Sequence, residues 1–235
     1  MAIIDIDELL DYIICPLRLS FDSKSDKQFR TYFDLRSYIN SKLFDNCLSM
    51  RLVDQKVTIP RLNSKLNYIW DDIKKDITAE LTIANKLTIK SKLAYLYELF
   101  REIKQVVYYN VPRLISVLNT SILYKFSSYY TNQGFITIVK FNNLHLNLTQ
   151  DSYSVRILTN LIQKDLKTIE DKYKHNLKIF RCDTCEIYDT VSVSNITYVI
   201  ENIIRGLEQK VFYPRNDYLS CKTCAYNKIC DWSLI

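Results

Sequence analysis

The sequence predicts an α/β (α+β) protein. Three observations predict it: apolar residues at helical spacing through the first half, a switch to period-two, β-rich composition from about Ser116, and a return to mixed helices and short strands before a cysteine-rich end. Taken in order, a short helix is expected over about Ile6 to Ile14, broken by Cys15-Pro16. Helical spacing resumes through Phe29, Phe33, Tyr38, Leu43 and Phe44. Two longer helices follow, about Leu62 to Ile83 and Thr88 to Tyr108, the second presenting Leu93, Leu96, Leu99 or Phe100, Ile103 and Val107 as a core face. Beyond Ser116, SVLNTSILYKFSSYY, a turn at Thr131-Asn132-Gln133-Gly134, FITIVKF, Asn142-Asn143 and LHLNL read as a three-strand meander. A helix over about Asp151 to Lys174, strands in LKIFRC and CEIYDTVSVS, and a helix over about Asn195 to Gln209 complete the order. With no repeat, low-complexity tract or linker, the chain reads as one domain, 1–235. A helical insertion occupies about 51–110, a core about 111–210, and a cysteine-rich tail 211–235.

Composition narrows the chemistry. The 235 residues carry 32 Lys+Arg against 26 Asp+Glu, a net +6, and are 48% hydrophobic, so a real core is expected. Only two glycines occur, Gly134 and Gly206, which excludes a Walker loop and the dinucleotide fingerprint, both built on clustered glycines. No stretch approaches the roughly 18 apolar residues of a membrane span, and the N-terminus carries acids where a signal peptide needs bases. The expectation is a soluble, intracellular (cytoplasmic) protein with no membrane partner. Abundant Lys, Asn, Ile and Tyr with scarce Gly, Ala and Pro hint at an A/T-rich genome, such as that of a virus.

Seven cysteines stand at 15, 47, 182, 185, 221, 224 and 230, an odd number that argues against a disulfide framework. The tail CKTCAYNKIC spaces three of them as C-x2-C-x5-C. Clustered thiolates suit zinc or an iron-sulfur cluster, and Cys221, Cys224 and Cys230 leave one position to fill. Cys15 is the best candidate, placed by CPLRLSF just after a helix at a proline-set turn where its thiol can meet a docked tail. The rival is a zinc site of Cys182, Cys185, Cys221 and Cys224, the first two lying in an expected hairpin, RCDTCEIYD, that reads equally well as paired strand ends. Cys47, alone on a helix, reads as a buried small hydrophobe.

Ile14-Cys15-Pro16-Leu17-Arg18-Leu19, Tyr213-Pro214 and Cys221-x2-Cys224-x5-Cys230-Asp231-Trp232 together resemble the iron-sulfur members of the PD-(D/E)XK nuclease superfamily. These are the RecB/AddB-type helicase-nuclease domains and the CRISPR adaptation nucleases. The resemblance covers nearly the whole chain. It implies a restriction-endonuclease-like core with a helical insertion, and a 4Fe-4S cluster held by one cysteine before that core and three after it. It also implies catalytic motifs, and there the sequence departs. Arg36-Ser37-Tyr38-Ile39-Asn40 stands where the family has a glycine and, four residues on, a histidine. Ile122 to Tyr130 lacks the metal-binding Asp. In FITIVKFNN, which stands for the D/E-x-K strand, alternation puts Ile136, Ile138 and Lys140 on one face and Phe135, Thr137, Val139 and Phe141 on the other, with no acid. The family's Q-x3-Y has no counterpart in SVRILT. Independently of register, no Asp or Glu occurs between Glu102 and Asp151. A hard Mg²⁺ ion needs carboxylates.

The same acid-free stretch contains Lys104, Arg113, Lys125 and Lys140, in company with Tyr108, Tyr109, Tyr124, Tyr129 and Tyr130. Cations and aromatic faces suit a nucleic-acid backbone and unstacked bases, and Arg113, Lys125, Tyr129 and Lys140 are the expected contacts. Residue by residue, the plainer alternative is core tyrosines and solvated lysines. His145 and His175 have no partner at a useful spacing, and Asp71-Asp72-Ile73-Lys74-Lys75-Asp76 reads as a solvated helix face. The function expected is that of a catalytically silent, cluster-stabilised nuclease-fold pseudoenzyme. It would bind nucleic acid, DNA first, or serve beside other proteins in a replication, recombination or transcription assembly. The alternatives are an active metal-dependent nuclease drawing acids from Asp183, Glu186 or Asp189, and a zinc-stapled interaction module.

Overall fold

The computed structural model describes residues 2–17, 32–74, 86–141, 153–169, 176–182, 184–190, 197–212 and 230. Its centre is a six-stranded mixed sheet in the order β1-β3-β4-β5-β6, with β2 on the other edge of β3. The strands are β1 (Ala2–Asp5), β2 (Gln105–Val117), β3 (Thr120–Thr131), β4 (Gly134–Phe141), β5 (Asn176–Arg181) and β6 (Glu186–Asp189). Pairs β1/β3 and β4/β5 are parallel; β2/β3, β3/β4 and β5/β6 are antiparallel. Helices α1 (Ile6–Ile14), α2 (Tyr32–Leu52), α3 (Ile59–Ile73), α4 (Leu93–Arg101), α5 (Tyr153–Leu166) and α6 (Thr197–Glu208) cover its faces.

Strand alternation divides the interior into two cores. Ile136, Ile138, Tyr129 and Phe180 point toward α2, α3 and α4, whereas Val139, Phe141, Tyr124, Phe126 and Ile179 point toward α1, α5 and α6. In the first core Phe44 of α2 stacks on Phe180 at 4.2 Å and meets Phe100 of α4 edge-on at 5.1 Å, so one side chain ties two helices to the sheet. Helix α3 starts where a helix can: Thr58 caps it, Pro60 follows, and Leu62, Leu66, Ile69 and Ile73 then recur on the buried side. Helix α1 begins with a capping box, in which Asp5 accepts from the Asp7 amide at 2.9 Å and Glu8 accepts from the Asp5 amide at 3.0 Å.

The expected α1 matches its observed bounds. The helix expected to reach Tyr108 does not: α4 ends at Arg101, and the Lys104 amide donates to the Tyr130 carbonyl at 2.8 Å, opening the β2/β3 ladder. The apolar spacing of Ile103 and Val107 is compatible with a helix, but pairing along β3 and the β-branched and aromatic run Val106-Val107-Tyr108-Tyr109 decide for a strand. The meander is therefore β2, β3 and β4, earlier than expected, and LHLNL lies outside the described residues. Strand β2 carries register shifts around Tyr108, left-handed Asn110 at φ 47°, and Pro112, all features of an edge strand. The β3–β4 turn uses Gly134 at φ 121°, a conformation open to glycine.

Gly206 has a different role. A Cβ there would strike the Tyr12 hydroxyl, which donates to the Val211 carbonyl at 2.8 Å. This contact seats α6 against α1. Gly206→Ala is expected to lower stability by about 1–3 kcal/mol in thermal or urea unfolding. Adding Tyr12→Phe removes the colliding oxygen, so the double variant should recover part of that loss; a double variant no better than the single one would show that the contact is not the cause.

Candidate functional site

On the α2 side of the sheet, β4 presents Lys140 in line with Ile136 and Ile138, the face expected from alternation. Its ammonium lies 2.6 Å from both Asp45 carboxylate oxygens and 3.3 Å from the Ser41 hydroxyl. Ser41 and Asp45 are four residues apart on α2, hence on one helical face. The pair is about one-fifth exposed on each side, so solvent screens it only in part. One residue before Ser41, Asn40 is 2% exposed and donates through Nδ2 to the Cys182 carbonyl at 2.7 Å. Burial holds the Cys182 thiol well above the usual range, with the Lys140 charge pulling the other way.

The opposite face holds the second ion pair. Arg113 of β2 donates from Nε and Nη2 to the two Asp165 oxygens at 3.0 and 3.1 Å, and the Tyr124 hydroxyl donates to Oδ2 at 2.7 Å. This fork-on-carboxylate geometry raises the Arg113 pKa through its hydrogen bond to Asp165. Burial, then the bond to Asp165, raises that of Tyr124.

These placements revise the expected nucleic-acid contacts. Arg113 and Lys140 are on opposite faces and are both engaged by acids from helices. Tyr129 is 1% exposed in the first core, so it cannot stack on a base. Tyr124 is equally buried. Lys125 remains exposed on the α2 side, and Lys104 is exposed at the start of β2. Neither has an ion pair among the described residues. The acid-free segment is thus real along the chain but not in space. Asp45 and Asp165 enter from α2 and α5, and the only sequence signal for the former was the polar spacing Ser37, Ser41, Asp45 along a helix otherwise rich in apolar residues.

Of the expected metal ligands, Cys15 caps α1 in extended backbone (φ −156°, ψ 104°), its amide donating to Asp11 at 2.8 Å, and is half-buried. Cys230 is also half-buried. Cys221 and Cys224 lie outside the described residues, as do His145, His175 and Asp183. Val211 and Phe212, where the tail departs, rest on α1: Tyr12 bonds the Val211 carbonyl and meets the Phe212 ring edge-on at 6.3 Å. Cys47, Cys182 and Cys185 are buried in the first core, Cys185 at φ 60° in the β5–β6 turn, its thiol pushed up by burial to about 12. Among the described residues no group of three or more His, Cys, Asp or Glu is placed to hold a metal ion. Glu186 and Asp189, acids of the active-nuclease alternative, are engaged elsewhere. Glu186 accepts from Lys92 at 3.3 Å and Tyr188 at 2.6 Å, and Asp189 pairs with Lys178 at 2.9 Å. Burial alone would raise the Glu186 pKa, but hydrogen bonds from Tyr188 and Lys92 outweigh it and hold the carboxyl below the usual range. No described helix is long and apolar enough to cross a membrane.

No family model and no curated protein matches the chain. Among solved structures, the crystal structure of SSO0001 is similar at 15% identity over 84% of this chain and 98% of that chain. Its TM-score is 0.33, too loose a likeness to carry fold or function.

Proposed function

We propose that the chain is a catalytically silent protein of the PD-(D/E)XK nuclease fold, pinned at its ends by an iron-sulfur cluster, that holds nucleic acid without cutting it or serves as a subunit of a DNA-processing or transcription assembly. The observation that carries this reading is Lys140. It stands where the superfamily's lysine would, yet its ammonium is clamped between both Asp45 oxygens, and β2, β3 and β4 contribute no carboxylate. A divalent ion at this position would have to compete with an ammonium for Asp45. The succession β2, β3, β4, α5, β5, with β5 parallel to β4, supports the nuclease-like core.

Cys15, Cys221, Cys224 and Cys230 would hold the cluster, which supplies a cross-link between the chain ends when bound. The donor set is all thiol, as a 4Fe-4S cluster requires. The tail's exit at Phe212 lies against α1 one turn before Cys15, and Cys221 is nine residues farther on, a reach of up to roughly 30 Å. Within the acid-free stretch, Lys125 and Lys104 are exposed and could meet a phosphate backbone.

Purified protein mixed with single- or double-stranded DNA and Mg²⁺ or Mn²⁺ is expected to bind without cleavage. Added salt should weaken the binding, and so should Lys125→Glu, by a similar factor for every sequence tested. The active-nuclease alternative gains one concrete acid, Asp45. Cleavage that disappears in Asp45→Asn or Glu186→Gln would overturn the silent reading in its favour.

A further inference from the structure

A cleft of about 400 Å³ opens between the end of α2 and the start of α3, and its lining includes Ser49, Gln55, Arg61, Ser64 and Lys65. All five are exposed and open to a guest. The lining holds two cations and no carboxylate. Arg61 donates from Nη1 to the neutral Lys56 carbonyl at 3.0 Å, and among the described residues neither Arg61 nor Lys65 has an acid partner. The acids of α2 and its following turn do not supply one: Asp45 is engaged by Lys140, and Asp54 stands outside the lining. The hydroxyls of Ser49 and Ser64 and the amide of Gln55 add donors for phosphate oxygens between the two charges.

Arg61 also stands where helix electrostatics disfavour it. It lies in the first turn of α3, at the positive end of the dipole, and that turn contains no acid. A residue placed against its local preference marks a position that function sets. The Arg61 amide already donates to the Thr58 cap at 3.4 Å, so an anion here meets the side-chain charge and not the helix end. One turn on, Lys65 lies on the same helical face, and Tyr68 follows it, 73% exposed, beside the buried row Leu62, Leu66 and Ile69. Two cations without acid partners that lead to an open phenol ring match a strand whose phosphates follow a cleft and whose bases are free to stack. We propose that the α2–α3 cleft binds single-stranded nucleic acid, with phosphates on Arg61 and Lys65 and a base on Tyr68. The proposal rests on the nucleic-acid reading above, for which it names the strand type and a contact surface; it uses neither Lys140 nor the cysteine tail.

Fluorescence anisotropy of the full chain with a labelled single-stranded oligodeoxynucleotide, and with the duplex of the same sequence, tests it over a range of salt. Arg61→Gln with Lys65→Gln changes two exposed side chains, so the fold should survive, and the slope of log affinity against log salt for the single strand should shrink by about 1.4, at about 0.7 for each phosphate contact. Lys167→Gln with Lys210→Gln, the same charge loss at the ends of α5 and α6, should leave that slope unchanged. Tyr68→Ala should weaken single-strand binding about fivefold or more and leave duplex binding unchanged, because paired bases are not free to stack; Tyr68→Phe keeps the ring and should bind like the wild type. An unchanged slope in the Arg61 and Lys65 variant, an equal loss in the Lys167 and Lys210 variant, or a Tyr68→Ala effect that is absent or the same for both forms would each overturn the proposal. Should one of these occur while Lys125→Glu still weakens binding, the cleft is lost and the nucleic-acid reading stands. Wild-type protein that binds neither form overturns both.

Discussion

Asp45→Asn is expected to cost about 2–3 kcal/mol of stability and, at the same time, to strengthen DNA binding. The first effect follows from burial. Lys140 sits in a site only 17% exposed, and the carboxylate that touches it at two oxygens is gone. Breaking a buried pair from one side leaves an uncompensated charge, so the loss exceeds what the intact pair contributes; partial exposure moderates it here. For a chain of this length the melting temperature should fall by about 4–12 °C. The second effect follows from the same charge. A freed ammonium on the α2 side of the sheet, the side that carries Lys125, adds one cation for phosphate, so the slope of log affinity against log salt should steepen by about one.

The two readouts separate two accounts. If Asp45 only braces the fold, stability drops and binding does not change. If the α2 side faces nucleic acid, binding must rise. Asp45→Leu with Lys140→Met removes both charges and should restore most of the stability while leaving the salt slope at its wild-type value. A double variant as unstable as Asp45→Asn would mean the ion pair is not the source of the loss.

How much of this was legible along the chain differs by residue. Helix α1 was readable because local signals agree: Asp5 and Glu8 form its cap and Cys15-Pro16 its end. The facing of Lys140 was readable too, because the period of a strand fixes it. The beginning of β2 was not. Ile103 and Val107 fit a helix as well as a strand, and the deciding hydrogen bond, from Lys104 to Tyr130, joins residues far apart in sequence. The candidate interface suffered most from this limit. Acid-free in sequence did not mean acid-free in space, since Asp45 and Asp165 reach the sheet from helices that flank it. Tyr129 shows the same gap for burial: an aromatic on a strand reads alike as core or as platform until the layer above it is known.

Cys15→Ser is the variant with the largest expected effect. On the proposed reading, anaerobically purified wild-type protein is brown and contains iron, and the serine variant is colourless and iron-poor. The packing change is small, because serine replaces sulfur with oxygen at a half-buried helix end whose backbone hydrogen bond to Asp11 persists. A large fall in stability must then come from the lost cross-link. Tying Cys15 to Cys221 closes a loop of about 200 residues, and the loop-entropy relation used for disulfides puts such a closure at roughly 5 kcal/mol. Cys224→Ser should behave alike although it is remote in sequence, whereas Cys47→Ala, a change in the first core, should lose some stability and keep its iron. The contact of Tyr12 with Val211 and Phe212 sets the order of events: it seats the tail's exit on α1 without metal, so tail docking should weaken but not vanish in Cys15→Ser, and limited proteolysis should cut beyond Phe212 before it cuts within α6. Iron and melting temperature that both survive Cys15→Ser, with metal lost instead in Cys182→Ser, would move the fourth ligand to the β5–β6 turn and favour the zinc set of Cys182, Cys185, Cys221 and Cys224 if the bound metal is then zinc.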